Sequence, residues 1–76
     1  MEIKVRLHGL LRDSLPREMK GQTTLTLPET ATVQDVVAHL NIKRKVSANV
    51  NGMQVQLSYR LQPNDALQLF RIVGGG

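Results

Sequence analysis

Cysteine is absent from the 76-residue chain, and only Tyr59 and Phe70 represent the Phe, Tyr and Trp class. The lack of cysteine excludes a disulfide, a thiolate zinc site and a cysteine nucleophile. Binders of single-stranded nucleic acid usually stack bases on several aromatic rings, so two rings argue against that partner. Long apolar runs and a secretory signal are also missing, so we expect a cytoplasmic protein without a membrane partner.

Residues with ordinary catalytic or metal-binding patterns are also missing. The two histidines, His8 and His39, fall on different predicted elements, and the six carboxylates are scattered along the chain. No spacing suggests a triad, a metal-ligand cluster or an acid–base pair, and no glycine-rich phosphate loop is present. We therefore expect no catalytic residue, no bound metal and no bound cofactor, with His8 solvated on an open sheet face and His39 on a helix flank.

The chain is basic and small. Ten lysines and arginines exceed six aspartates and glutamates, which gives a formal net charge of +4. A basic balance favours an acidic partner or surface. A mass of 8.5 kDa allows one domain with a modest core.

Alternating apolar and polar residues predict strands at residues 2–8, 23–28 and 66–73, with a loop at 9–22 between the first two. Two further β-prone runs, 46–50 and 53–57, flank the dipeptide Asn51-Gly52. This dipeptide is typical of a tight hairpin, because the turn needs positive φ twice. We expect the second run to share one apolar face, which carries Met53, Val55 and Leu57.

A helix is predicted over residues 32–41. Thr32 is a good N-cap residue, and Asp35 suits the positive end of the helix. One face carries Val33, Val36, Val37 and Leu40.

The fold class is therefore α+β, with one helix across a mixed sheet of about five strands and with the first and last strands as candidates for its centre. We expect a domain at residues 1–73 and a flexible tail at 74–76.

The tail is the most informative feature. Gly74, Gly75 and Gly76 follow an apolar strand. Glycine has no Cβ, so such a tail can enter a narrow channel and bring its carboxylate to another enzyme's reactive centre. The alternative is a frayed terminus. The strand directly before the glycines favours a functional tail, with a reach of about 10 Å.

The last strand also predicts a docking patch. If Leu67 and Leu69 face the helix, Phe70 and Ile72 face outward beside the tail. Basic side chains of the first strand then border them, if the first and last strands are neighbours. The alternative is that an irregular strand end turns Phe70 into the core. The predicted partner-binding residues are Phe70, Ile72, Arg71 and Arg6.

The whole chain resembles the ThiS/MoaD family of ubiquitin-like sulfur carriers, which have the β-grasp fold. The resemblance is carried by Leu-Leu-Arg-Asp-Ser-Leu (10–15), Ala-Thr-Val-Gln-Asp-Val-Val (31–37), Asn-Val-Asn-Gly (49–52), Leu-Gln-Pro-Asn-Asp-Ala-Leu-Gln-Leu-Phe (61–70) and Val-Gly-Gly-Gly (73–76). Here Asn64 replaces the glycine of the family's usual Gly-Asp turn. The segment 70–73 lacks the prolines common in MoaD. The ending Ile-Val-Gly-Gly-Gly (72–76) is nearer to ThiS, whereas the long 9–22 loop is more like MoaD.

The resemblance implies a co-substrate without its own active site. A ubiquitin-activating-type adenylyltransferase would use Mg-ATP to adenylate the Gly76 carboxylate, and a sulfur donor would replace AMP to give a thiocarboxylate. A sulfur-accepting biosynthetic enzyme, for thiamine thiazole, molybdopterin or a related product, would be the second partner. Two alternatives stay open: a protein modifier joined to lysines through Gly76, and a basic binding module, for RNA as one example, whose tail is incidental.

Overall fold

The computed structural model describes residues 1–72. Its strands are β1 (Glu2–Leu7), β2 (Gln22–Thr26), β3 (Val46–Val50), β4 (Met53–Val55) and β5 (Ala66–Arg71), and its α-helix is α1 (Val33–His39). Two short 3₁₀ helices, Gly9–Ser14 and Arg17–Met19, lie in the connector between β1 and β2 (residues 8–21). None of these helices is long and apolar enough to cross a membrane.

One sheet contains the five strands in the order β2-β1-β5-β3-β4. The central strand β5 is parallel to β1 and antiparallel to β3, while β1–β2 and β3–β4 pair antiparallel. The sheet is therefore mixed, and the last strand lies at its centre with the first strand beside it. The predicted α+β class is confirmed.

The core is formed by one face of the sheet, by α1 and by the loops around them. Strand alternation places every second residue of β1, β3 and β5 in this core, and the strand residues that are less than a tenth exposed are Ile3, Val5, Leu7, Val46, Ala48, Val50, Leu67 and Leu69. The helix contributes Val33, Val36 and Val37. Burial of one such side chain contributes about 1.5–3 kcal/mol to folding.

Both ends of α1 are closed by local hydrogen bonds. Thr32 N donates to Asp35 Oδ2 at 2.8 Å and Asp35 N donates to Thr32 Oγ1 at 3.3 Å, which is a capping box. Beyond the last turn, Asn41 has φ +58° and Ile42 N donates to Val37 O at 3.1 Å. This left-handed cap ends the helix before the predicted residue 41.

The second hairpin strand is shorter than predicted. β4 ends at Val55, because the chain then turns towards the start of α1, where Gln34 N donates to Leu57 O at 2.9 Å. Met53 is 72% exposed, so the expected apolar face does not extend to it. β4 is an edge strand, and Met53 lies beside the turn at Asn51 and Gly52, which have the predicted positive φ values.

The boundaries of three other strands differ from the sequence-based expectation. β2 begins one residue earlier than predicted, at Gln22, and ends two residues earlier, at Thr26. β1 ends at Leu7, because His8 is the N-cap of the first 3₁₀ helix, which begins at Gly9, and the predicted loop at 9–22 contains both 3₁₀ helices. β5 ends at Arg71. Val73 and the glycines lie outside the described residues, and the boundary between domain and tail at residues 73 and 74 stays a prediction.

Candidate docking surface at the end of the last strand

The sheet face opposite α1 is mostly polar, and Phe70 is its one aromatic side chain among residues 1–72. In β5, Leu67 and Leu69 are buried, whereas Phe70, opposite Ser47 of β3, is half-buried on the open face. The predicted outward orientation of Phe70 is confirmed, and the alternative that Phe70 belongs to the core is wrong.

His8 fixes the environment of Phe70. The two rings are stacked, with centroids 4.4 Å apart and planes 6° from parallel. His8 Nε2 lies 2.8 Å from Gln68 Oε1, and because a carbonyl oxygen only accepts, Nε2–H is the donor. The expectation of a solvated His8 is therefore wrong, since Phe70 covers one ring face and Gln68 binds the ring edge. His39 is exposed on α1, as expected.

A shallow apolar depression lies beside Phe70. Its lining consists of His8, Gly9, Leu10, Phe70 and Arg71. Leu10 is 54% exposed, whereas Leu11 is buried in the core. We name this surface, together with the exposed Ile72 that follows β5, the apolar docking surface.

Leu10 was missed by the sequence-based prediction. The signal was present, because in a pair of adjacent leucines on a short turn only one side chain can enter the core. The pair did not indicate which leucine would stay outside.

The predicted binding residues occupy different parts of this region. Phe70 and Arg71 line the depression itself. Ile72 is 50% exposed, and its N–H donates to Lys45 O at 3.1 Å, which holds the backbone beside β3. Arg6 is exposed on the open face opposite Gln68 and lines a neighbouring depression with His8. The structure thus brings three of the four predicted residues to the end of β5 and places Arg6 at the border.

The described residues contain no group of three or more His, Cys, Asp or Glu side chains that could hold a metal ion. Asp65, the one buried carboxylate among residues 1–72, has a structural role at the start of β5. It accepts hydrogen bonds from Asn51 Nδ2 at 2.9 Å and Gln62 N at 2.8 Å. The predicted tail residues Gly74, Gly75 and Gly76 lie outside the described part of the chain.

The ThiS family model matches residues 14–76 of the chain. No curated protein matches it. The solved structures include similar folds, and one is the HVO 2177 protein of Haloferax volcanii, with a TM-score of 0.80, 23% identity and coverage of 100% of this chain and 87% of that chain.

Two further solved structures have the same fold. Small archaeal modifier protein 1 of H. volcanii has a TM-score of 0.75 and 17% identity, with coverage of 95% of this chain and 98% of that chain. A chain in the complex of subunits 1 and 2 of molybdopterin-converting factor from Helicobacter pylori has a TM-score of 0.64 and 18% identity, with full coverage of both chains. These similarities confirm the predicted β-grasp fold.

Proposed function

The chain belongs to the ThiS family, and from this premise we propose that it is a cytoplasmic sulfur carrier protein that acts through Gly76. The observation that carries the proposal is the position of the apolar docking surface. It lies at the end of β5, the strand that leads to Gly74, Gly75 and Gly76. Gly76 is four residues beyond Ile72 in the sequence, so a fully extended chain would reach at most about 14 Å from this surface.

The proposed chemistry needs an activating enzyme. A Gly76 carboxylate oxygen attacks the α-phosphorus of Mg-ATP, pyrophosphate leaves, and an acyl adenylate is formed. Hydrosulfide as the sulfur donor then attacks the acyl carbon, AMP leaves with the bonding electron pair, and loss of the S–H proton gives the thiocarboxylate. A persulfide donor gives an acyl disulfide instead, and a second thiol attacks the donor sulfur of this disulfide, so that the thiocarboxylate leaves and a disulfide is formed. The carrier supplies the acyl group and the docking surface, and the adenylyltransferase supplies the catalytic residues.

The proposal includes a second partner that accepts the sulfur. The H. pylori protein of similar fold forms a complex with a second subunit of molybdopterin-converting factor. This complex supports a biosynthetic enzyme as the second partner of the present chain, in the synthesis of molybdopterin, thiamine thiazole or a related product. Both partners would use the same end of β5, because both must reach the same carboxylate.

A protein modifier is the second candidate function. It is favoured by the similarity to small archaeal modifier protein 1, which shares the fold over nearly the whole chain. The same adenylated Gly76 would then react with the amino group of a lysine, with release of AMP and formation of an isopeptide bond. The two functions differ only after the adenylation step.

The intact mass of the protein tests the proposal. The protein is incubated with the cognate adenylyltransferase, Mg-ATP and a sulfur donor, and the variant without Gly75 and Gly76 is the control. A mass gain equal to the exchange of one oxygen for sulfur, mapped to Gly76, supports the carrier. Isopeptide adducts on lysines without such a gain support the modifier, and an unchanged mass with an active enzyme contradicts both.

A further inference from the structure

The basic residues are concentrated at one end of the sheet. β1 and β5 both finish at this end of the sheet, where β2 and β3 begin, and the connector joins β1 to β2 there. We call it the distal end of the sheet. Eight of the ten lysines and arginines belong to it or to the segments beside it: Arg6, Arg12, Arg17, Lys20, Lys43, Arg44, Lys45 and Arg71. Among residues 1–72, Asp13 and Glu18 are the acidic side chains of these segments, so the described part of this end carries an excess of positive charge.

Four of these cations surround a groove in the connector. Two adjoining depressions share Gly9, Arg12 and Lys20 in their lining. Arg17 completes the first depression and Arg6 the second, and all four cationic side chains are exposed. Of the carboxylates in the described part of the chain, Asp13 alone lines either depression. We name these two depressions, with Arg6, Arg12, Arg17 and Lys20 around them, the connector groove.

The backbone holds this groove in place. Leu11 is buried, and Leu7 N donates to Gly21 O at 2.7 Å, so the connector is fixed at its centre and at its end. An added Cβ on Gly21 would lie 2.9 Å from Arg12 Cγ, which shows that the stem of Arg12 lies against the Gly21 backbone. Because the aliphatic part of the Arg12 side chain contacts the Gly21 backbone, the Arg12 side chain loses less conformational entropy when its guanidinium binds an anion.

We propose that the connector groove binds an acidic segment of a partner protein, adjacent to the apolar docking surface. The proposal rests on the proposed function, because the partner is the enzyme that acts on Gly76. Two observations favour a protein segment. The groove shares Gly9 and His8 with the apolar docking surface, so one partner can cover both. Neither Tyr59 nor Phe70 lines the groove, and one face of the His8 ring is already covered by Phe70, so the groove is poor in rings that could stack nucleic-acid bases.

The first test needs no enzyme. A hexaglutamate peptide is titrated into ¹⁵N-labelled protein, with a single-stranded oligothymidylate of equal charge and inorganic phosphate as comparison probes. We expect the largest peptide-induced shifts at the amides of Arg12, Arg17 and Lys20, and loss of these shifts at high salt. Equal shifts at residues 43–45, or tighter binding of the oligothymidylate at the groove, would overturn the proposal.

The second test uses the activating enzyme with two variants of equal charge. Arg17→Glu with Lys20→Glu alters the connector groove. Lys43→Glu with Lys45→Glu makes the same change of charge at the distal end of the sheet, but outside the connector groove. We expect the first variant to raise KM for the carrier about tenfold with little change in kcat, and the second to change KM far less. Equal effects would show a general electrostatic field and contradict a groove site. Melting temperatures establish that both variants are folded.

The two proposals fail in different ways. If the unaltered protein is not adenylated while the peptide binds at the groove, the proposed function is wrong and the groove stands as a binding site for acidic peptide. If the unaltered protein is adenylated and the groove variant has the same KM, the proposed function stands and the groove inference is wrong.

Discussion

The imidazole ring of His8 lies flat on the ring of Phe70, with 4.4 Å between their centroids. His8 is held in turn by Gln68, two residues before Phe70 on the same strand face. The largest apolar side chain of the open face is therefore already ordered before a partner arrives. A preordered anchor loses less conformational entropy on binding, which suits the proposed carrier, because two enzymes would have to bind it in turn.

Replacement of Phe70 by alanine is expected to weaken binding to the activating enzyme by about 1–3 kcal/mol, because a central aromatic anchor is lost. Calorimetric titration against the enzyme measures this loss. Leu69→Ala is the matched control on the other face of β5, and it should instead cost about 2–5 kcal/mol in the free energy of unfolding. A Phe70→Ala protein that unfolds as easily as Leu69→Ala, with unchanged binding, would contradict the proposed role.

His8→Ala is expected to weaken the same binding by a smaller amount, because Phe70 then loses its stacking partner. The double variant with Phe70→Ala should be less impaired than the sum of the single variants. A coupling energy of about 0.5–1.5 kcal/mol in the double-mutant cycle is typical of a ring pair. Strictly additive losses would mean that His8 does not position Phe70.

Deletion of Gly75 and Gly76 is expected to abolish thiocarboxylate formation and to leave the melting temperature unchanged. The reason is that the described core lies between Ile3 and Leu69. Mass spectrometry and thermal unfolding check the two parts separately. The shortened protein should still compete with the full chain for the activating enzyme, since it keeps the docking surface. Thiocarboxylate formation on the shortened protein would refute the role of Gly76.

Asp65→Ala is expected to lower the free energy of unfolding by about 1–3 kcal/mol. The substitution leaves Asn51 Nδ2 and Gln62 N without their acceptor in a partly buried site. Asn51 also accepts from Ala66 N through its side chain, so the start of β5 would loosen. Chemical denaturation measures the change. Asp13→Ala, at an exposed position, is the control and should stay within about 0.5 kcal/mol of the unaltered protein.

Gly21→Ala is expected to destabilise the protein by about 2 kcal/mol or more. Gly21 has φ +75°, and a Cβ there would lie 2.9 Å from Leu7 O and from Arg12 Cγ. Gly9→Ala separates the two causes, because Gly9 also has positive φ but no atom within 4 Å of an added Cβ. Its cost should be about 1 kcal/mol. Similar losses for the two variants would show that the connector can shift to accept the methyl group.

The sequence was sufficient to predict the order of the elements and which side chains of β5 share the open face, because strict alternation determines which side chains share a side of a sheet. Leu67, Leu69 and Phe70 follow from that rule alone. The capping pair Thr32 and Asp35 was equally visible, since a capping box depends on residues three apart.

Other features depend on contacts between distant segments. The alternation of residues 53–57 gave no sign that Leu57 O would accept from the start of α1 and end β4 early. The stacking of His8 on Phe70 requires the parallel register of β1 and β5 and the turn after Leu7. The connector groove likewise required the position of Gly21 against Arg12.

The place of β5 at the centre of the sheet has a consequence for synthesis on the ribosome. Before β5 is made, the only strand pairs of the final sheet that the nascent chain could form are β1–β2 and β3–β4, and the strand that joins these two pairs is still missing. Isolated hairpins are marginal in water, so cooperative folding has to wait for the last described strand. Long-range pairing of this kind folds slowly, and the open strand edges are exposed to aggregation during that interval.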